Sequence, residues 1–279
     1  MPRLIRTFVT LCVVALAATF VFAACNDDDD DGGDGNGGET SGVPELEDGV
    51  LNVGSDIAYA PFEFYEEGTE TPDGLDIDLA EAIAAELGVD IEFQNTGFDG
   101  IIPALEVEDF DVLVSAMTIT DERSEVIDFV PYITVGTGIV VPVGNPDGIT
   151  GVADLCGSSV SVQVGTIQLD ILEVQSALCA DEINIVIFDT NPLAVEDVRT
   201  GGSSANFSDF PVAAEDAAQS EGTLEVVDTQ IDPEPYGLGV RKSSTELNTA
   251  LADALQAIID NGIYAGILAD WDLAAVALQ

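Results

Sequence analysis

The chain has 279 residues, six Lys+Arg against 53 Asp+Glu, no histidine and a formal net charge of −47. That balance excludes a polyanion such as nucleic acid as a partner. The missing histidine removes the usual base of a cysteine or serine nucleophile. So much like charge repels itself unless salt screens it, which suits a protein of saline surroundings.

Met1 to Ala24 reads as an export signal: Arg3 and Arg6, then an apolar run from Phe8 to Phe22, then Ala23-Ala24-Cys25. Without it the chain keeps four bases, Arg123, Arg199, Arg241 and Lys242, against 53 acids, a net −49. Small residues before Cys25 resemble a lipobox, with Phe22 where leucine is usual, so Cys25 is expected to carry a lipid. An uncleaved anchor is the alternative, for which the apolar run is short. Residues 25–42, with Asp27 to Asp31 in a row and then glycines, read as a disordered acidic tether. Five consecutive aspartates lack the spaced ligands and turn glycine of an ion-binding loop, so no metal site is expected there.

From Val43 strands and helices alternate. Val50 to Gly54 predicts a buried strand. Leu79, Ala80, Ile83 and Leu87 fall at helical spacing and Gly88 supplies the stop. Ile91 to Gln94 is a second strand, Ile101 to Val107 a short helix, and Val112 to Ala116 a third strand, which makes a βαβαβ lobe with a mainly parallel core. A second series follows: strands at Gly138 to Val143 and Ser158 to Gln163, a helix from Thr166, a strand at Asn184 to Phe188, a helix from Pro192, and a strand at Ala205 to Asp209.

The expected division is 43–134 plus 236–279 for lobe 1 and 135–235 for lobe 2, with hinge crossings near 133–138 and 233–237. Leu238 to Val240 predicts a strand. Ser243 with Glu246 predicts a capping box ahead of a helix whose apolar face is Leu247, Leu251, Leu255 and Ile258. Cys156 and Cys179 are expected to pair outside the cytosol.

One segment concentrates chemistry. Ser115-Ala116-Met117-Thr118-Ile119-Thr120 ends a strand in small polar residues, Thr120 is a helix N-cap by type, and Arg123 follows within the first turn. Free N–H groups and a guanidinium at one place suit a carboxylate. Each candidate also has a plainer role. Arg123 has Asp121, Glu122 and Asp128 as surface partners, Tyr59 and Phe98 suit a core, Asp209 suits a helix cap before Pro211, and Asp56 suits its own loop.

These residues resemble the solute-binding proteins that deliver amino acids to ABC transporters, the cluster of histidine, lysine/arginine/ornithine and glutamine binders. The resemblance runs from Leu51 to Trp271. It rests on Asp56 with Tyr59-Ala60-Pro61-Phe62-Glu63, Gly74-Leu75-Asp76-Ile77-Asp78-Leu79, Phe98-Asp99-Gly100-Ile101-Ile102-Pro103-Ala104-Leu105, Met117-Thr118-Ile119-Thr120 through Arg123, and Pro235-Tyr236-Gly237.

The resemblance implies a two-lobed, type II periplasmic-binding-protein-like α/β fold, each lobe a mainly parallel sheet flanked by helices. It implies Arg123, Thr118 and the N–H groups of Thr166 and Ile167 on a ligand α-carboxylate, and Asp209 with carbonyls near Ser115 on its α-ammonium. Tyr59 and Phe98 would sandwich the ligand side chain, and Asp56 would meet its far end. Ile167 and Ala116 stand where hydroxyl residues are usual. Asp56 and Glu63 make the pocket rim acidic, which favours a polar or basic amino acid. The implied protein is a monomeric receptor with no cofactor and no catalytic residue. It is anchored outside the cell membrane, or lies in the periplasm, and works with a permease and its ATPase. A cyclohexadienyl-dehydratase-like enzyme on the same fold is the alternative. A sensor domain would be expected to have a membrane helix and signalling module after residue 271, where eight residues follow in this sequence.

Overall fold

Leu75, Leu79, Ile83 and Leu87 recur every four residues and bury one stripe of a helix, which Gly88 ends in the left-handed conformation at φ 73°. This is α1, Leu75–Leu87, in a computed structural model that describes residues 42–227 and 230–277. The export signal, Cys25 and nearly all of the tether lie outside the described residues.

In chain order the strands are β1 Val50–Ser55, β2 Phe64–Tyr65, β3 Pro72–Asp73, β4 Asp90–Asn95, β5 Val112–Leu113, β6 Ile127–Pro142, β7 Ser159–Gln163, β8 Asn184–Phe188, β9 Ala205–Asp209, β10 Leu224–Val226 and β11 Ile231–Arg241. The remaining helices are α2 Ile101–Glu106, α3 Asp121–Val126, α4 Ile167–Leu178, α5 Asn191–Arg199, α6 Phe210–Gln219, α7 Thr245–Asp260 and α8 Ile263–Asp270.

The fold is two-lobed α/β. One curled sheet runs β4-β1-β5-β11-β6-β9-β7-β8, with β10 on β6. Three strands at each end are parallel, and the antiparallel β6/β11 pair joins them. Parallel strands need helical crossovers, and the helices cover the apolar faces they create. Most of the core on the β1 side gathers Leu51, Leu79, Ile83, Leu251 and Ile258, whereas Val160, Val162, Leu172 and Phe207 fill a separate cluster on the β7 side.

Several boundaries differ from the sequence expectation. The third strand ends at Leu113, because Ala116 takes a left-handed φ of 43° and the chain turns away from the sheet. The strand expected at Gly138 to Val143 is the end of one sixteen-residue strand that starts at Ile127 and stops at Pro142. Residues 133–138 and 233–237 lie within the β6/β11 pair, whose register slips between Ile231 and Glu234 and again between Tyr236 and Gly237. The Ser243/Glu246 capping box does not form: Ser244 is the N-cap of α7 and its side chain makes no cap hydrogen bond.

Cys156 and Cys179 form a disulfide that ties the turn before β7 to the end of α4, with Cα atoms 5.5 Å apart and a sequence separation of 23. Closing that loop restricts the unfolded chain by about 3 kcal/mol. Replacing both cysteines by serine is therefore expected to lower Tm by roughly 6–12 °C. An unchanged melting curve for the double variant would show that the bridge adds no stability.

Candidate functional site

Gly74 sets the first wall of the site. It stands at φ 138°, and a Cβ built there would meet Phe62 O at 2.0 Å, so only glycine allows the Tyr59 to Glu63 turn to lie on the start of α1. Backbone bonds from Leu75 N–H to Pro61 O and from Asp76 N–H to Phe62 O, both 2.9 Å, lock that turn in place. Glu63 and Asp76 are both buried and bond to consecutive residues after β5, Glu63 to the Ser115 hydroxyl and Asp76 to the Ala116 N–H.

The pocket at the junction of the two lobes is lined by Asp56, Tyr59, Glu63, Phe98, Ala116, Gln163, Thr166 and Asp209, and measures about 230 Å3 counting the space that opens to solvent. Of the residues singled out from the sequence, Asp56, Tyr59, Phe98, Ala116, Thr166 and Asp209 line this pocket. Ser115, Thr118, Arg123 and Ile167 are not among the lining residues.

Arg123 points inward. Thr120 Oγ1 accepts from the Arg123 N–H at 3.1 Å and so starts α3. The guanidinium donates from Nη1 to Thr118 O at 2.7 Å and from Nη2 to Gly165 O at 3.0 Å, and lies 5.6 Å from the centroid of the Phe98 ring. Burial lowers its pKa, while Asp170 and Asp209 raise it. Its hydrogen bonds go to these carbonyls, and Asp128 pairs instead with Lys242 at 3.2 Å.

Asp209 is the N-cap residue of α6, yet its side chain makes no cap bond. Its Oδ2 accepts from Tyr59 Oη at 2.7 Å and its Oδ1 from Gln168 Nε2 at 2.8 Å. Burial raises its pKa against those bonds and the charge of Arg123. The neighbouring Tyr236 hydroxyl is buried and makes no hydrogen bond of good geometry among the described residues.

Tyr59 therefore spends its hydroxyl on the opposite lobe, and Phe98 carries the guanidinium. Ile167, expected at the site through its N–H, is only partly buried at the start of α4, and it is the next residue, Gln168, that reaches Asp209. Thr166 caps α4, its hydroxyl donating to Gln163 O at 2.8 Å and accepting from Leu169 N–H at 3.4 Å.

On the other wall Asp56 Oδ2 accepts from Gln163 Nε2 at 2.7 Å, and burial raises the Asp56 pKa. Ser115 Oγ accepts the Asp56 N–H at 3.0 Å and donates to Glu63 Oε1 at 2.8 Å. Glu63 is not on the rim, as the sequence suggested, but 1% exposed. Asp76 accepts from Ala116 N–H at 2.7 Å and from Tyr132 Oη at 2.7 and 2.8 Å, yet burial outweighs those bonds and lifts its pKa to about 7. Gln163, Gln168 and the depth of Glu63 escaped the sequence reading. Glutamine in a strand or an amphipathic helix carries no signal of its own, and nothing local says that residues 41, 52 or 107 positions apart will meet.

A family model described as bacterial extracellular solute-binding proteins, family 3, matches residues 51–274. The arginine-binding protein ArgT of Corynebacterium glutamicum is 31% identical over 238 residues, covering 83% of this chain and 77% of its own length. Among solved structures, an ancestral arginine-binding protein bound to arginine superposes with a TM-score of 0.76 at 36% identity, covering 80% of this chain and 98% of that one. An ancestral amino acid-binding protein described as a precursor of cyclohexadienyl dehydratase superposes with a TM-score of 0.75 at 37% identity, covering 81% and 96%.

Proposed function

This chain belongs to the bacterial extracellular solute-binding proteins, family 3, and from that premise we propose that it is a lipid-anchored, non-enzymatic receptor that closes its two lobes on a basic amino acid, arginine foremost, and delivers it to an ABC importer. The observation that carries the choice of ligand is the charge of the pocket. Three of its eight lining residues are carboxylic acids, none is basic, and Arg123 stands alone beside them. Arginine has the complementary set: one anion and two cations.

In this reading Arg123, Thr118 and the N–H groups of Thr166 and Ile167 take the α-carboxylate, and Asp209 with the Ser115 segment takes the α-ammonium. The side chain passes between Tyr59 and Phe98 toward Asp56 and Glu63. Lobe 1 is 43–134 plus 236–279 and lobe 2 is 135–235. The hinge lies where the β6/β11 register slips, since a bulge absorbs bending at little cost. Three contacts between groups on opposite walls, Tyr59 to Asp209, Gln163 to Asp56 and Arg123 to Gly165, must yield or rearrange for a ligand to enter.

A ligand that binds only the folded form at a hundred times its Kd adds about 2.7 kcal/mol. In a thermal-shift screen of the twenty amino acids, arginine is expected to give the largest rise in Tm and aspartate and glutamate none. A rise with acidic amino acids alone would overturn the ligand assignment, and aromatic product from added prephenate or arogenate would replace the receptor by a dehydratase.

A further inference from the structure

Glu63 is buried, lines the pocket, and has an unequal pair of oxygens. Oε1 accepts from the Ser115 hydroxyl at 2.8 Å, whereas Oε2 is buried with no hydrogen-bond partner among the described residues. An ionised carboxylate oxygen in that position would be desolvated without compensation. The Ser115 hydroxyl has already given its proton to Oε1 and accepts the Asp56 N–H, so it cannot serve Oε2. The charges that reach Glu63 are those of Asp76 on α1, Asp56 at the end of β1 and Asp209 at the end of β9, all of the same sign. Tyr59 and Tyr132 face it as neutral phenols. Arg123, the cation of the site, interacts with Asp209, Asp170 and Glu122.

We infer that Glu63 is a charge-reading specificity residue that carries a proton on Oε2 in the ligand-free receptor and releases it when a cationic side chain enters. The inference rests on the amino-acid-binding reading above. The Oε2–H bond breaks, the proton leaves to the solvent buffer, and the carboxylate left behind pairs with the incoming guanidinium, so total charge is conserved. A neutral side chain offers no such exchange, and Glu63 keeps its proton. Burial and three neighbouring acids hold the group protonated well above the ordinary carboxylate range, which is the condition the exchange needs.

The consequence is a preference that depends on pH. Arginine must displace a proton, so its affinity rises with pH through the titration of Glu63 by up to about tenfold per pH unit. Glutamine does not displace one. Both ligands share the same head group, so any proton exchange at Asp209 or Arg123 cancels in the comparison between them.

Calorimetric titration of the whole protein at pH 7, in phosphate and in Tris, gives the number of protons exchanged from the difference in heats. The expected result is close to one proton released with arginine and none with glutamine, with arginine binding tightening between pH 5 and 8. Glu63→Gln is expected to abolish the release and shift preference from arginine toward glutamine. Arginine binding without proton release in the unsubstituted protein would overturn the inference while leaving the receptor reading intact, and so would a release that persists in E63Q. Absence of heat with every amino acid would overturn both.

Discussion

Arg123→Ala is expected to abolish the ligand-induced rise in Tm while leaving the unliganded melting temperature within a few degrees of its original value. The guanidinium is held on one side by Thr118 O and on the other by Gly165 O, so it reaches from α3 to the turn before α4. Truncating one partner of a buried charge pair costs roughly 2–5 kcal/mol, which is about thirtyfold to several thousandfold in affinity. The fold loses little, because no strand or helix depends on this side chain: the bond that starts α3 is made by the Arg123 backbone. Arg123→Lys should recover only part of the loss, since an ammonium cannot present two parallel donors to a carboxylate. Arginine affinity within threefold of the original in R123A would show that the α-carboxylate is bound elsewhere.

The second large effect concerns pH. Most proteins lose stability as they are acidified below pH 5, because paired carboxylates must be protonated. Here the sign is reversed between about pH 4 and 7. The Asp76 pKa is raised in the folded state to about 7 by burial, and so is that of Asp216, which accepts a hydrogen bond from Asn191. A carboxyl whose folded pKa exceeds its unfolded value binds more protons when folded. Its contribution is complete below the unfolded pKa near 4 and is lost as pH rises through about 7. For Asp76, which is fully buried, the difference is on the order of 4 kcal/mol. The ligand-free protein should therefore melt several degrees higher at pH 5 than at pH 8. Surface carboxylates repelling one another act in the same direction, so Asp76→Asn separates the two. The amide oxygen can still accept from Ala116 N–H, it does not titrate, and the variant's slope should flatten. A Tm that rises from pH 5 to 8, or an undiminished slope in D76N, would contradict this account.

Some roles were legible because their signals are local. Thr120 three residues before Arg123 announced a capped turn that carries a guanidinium, and the cap is present. Gly88 after a four-residue apolar spacing announced the end of α1. The open alternatives were decided only by tertiary contacts. Asp209 stands at a helix start, where capping was the alternative to ligand binding, but its side chain makes no cap bond: Tyr59, 150 positions away, claims one oxygen and Gln168 the other. Ser243 with Glu246 has the spacing of a capping box, yet α7 starts one residue later and the box is out of register.

The sequence by itself determined the alternation of strands and helices, the sign of the charge, the two parallel halves and the arginine turn, because periodicity, caps and small-residue signals act over a few residues. The tertiary structure decided what fills the pocket. Only the packing of the Tyr59 to Glu63 turn onto α1 through Gly74 drives Glu63 inward and sets Asp76 beneath it, and only the approach of β7 puts Gln163 on Asp56. Burial changes the protonation of an acid by removing its water, and no local pattern of residues encodes how much water a carboxylate will keep.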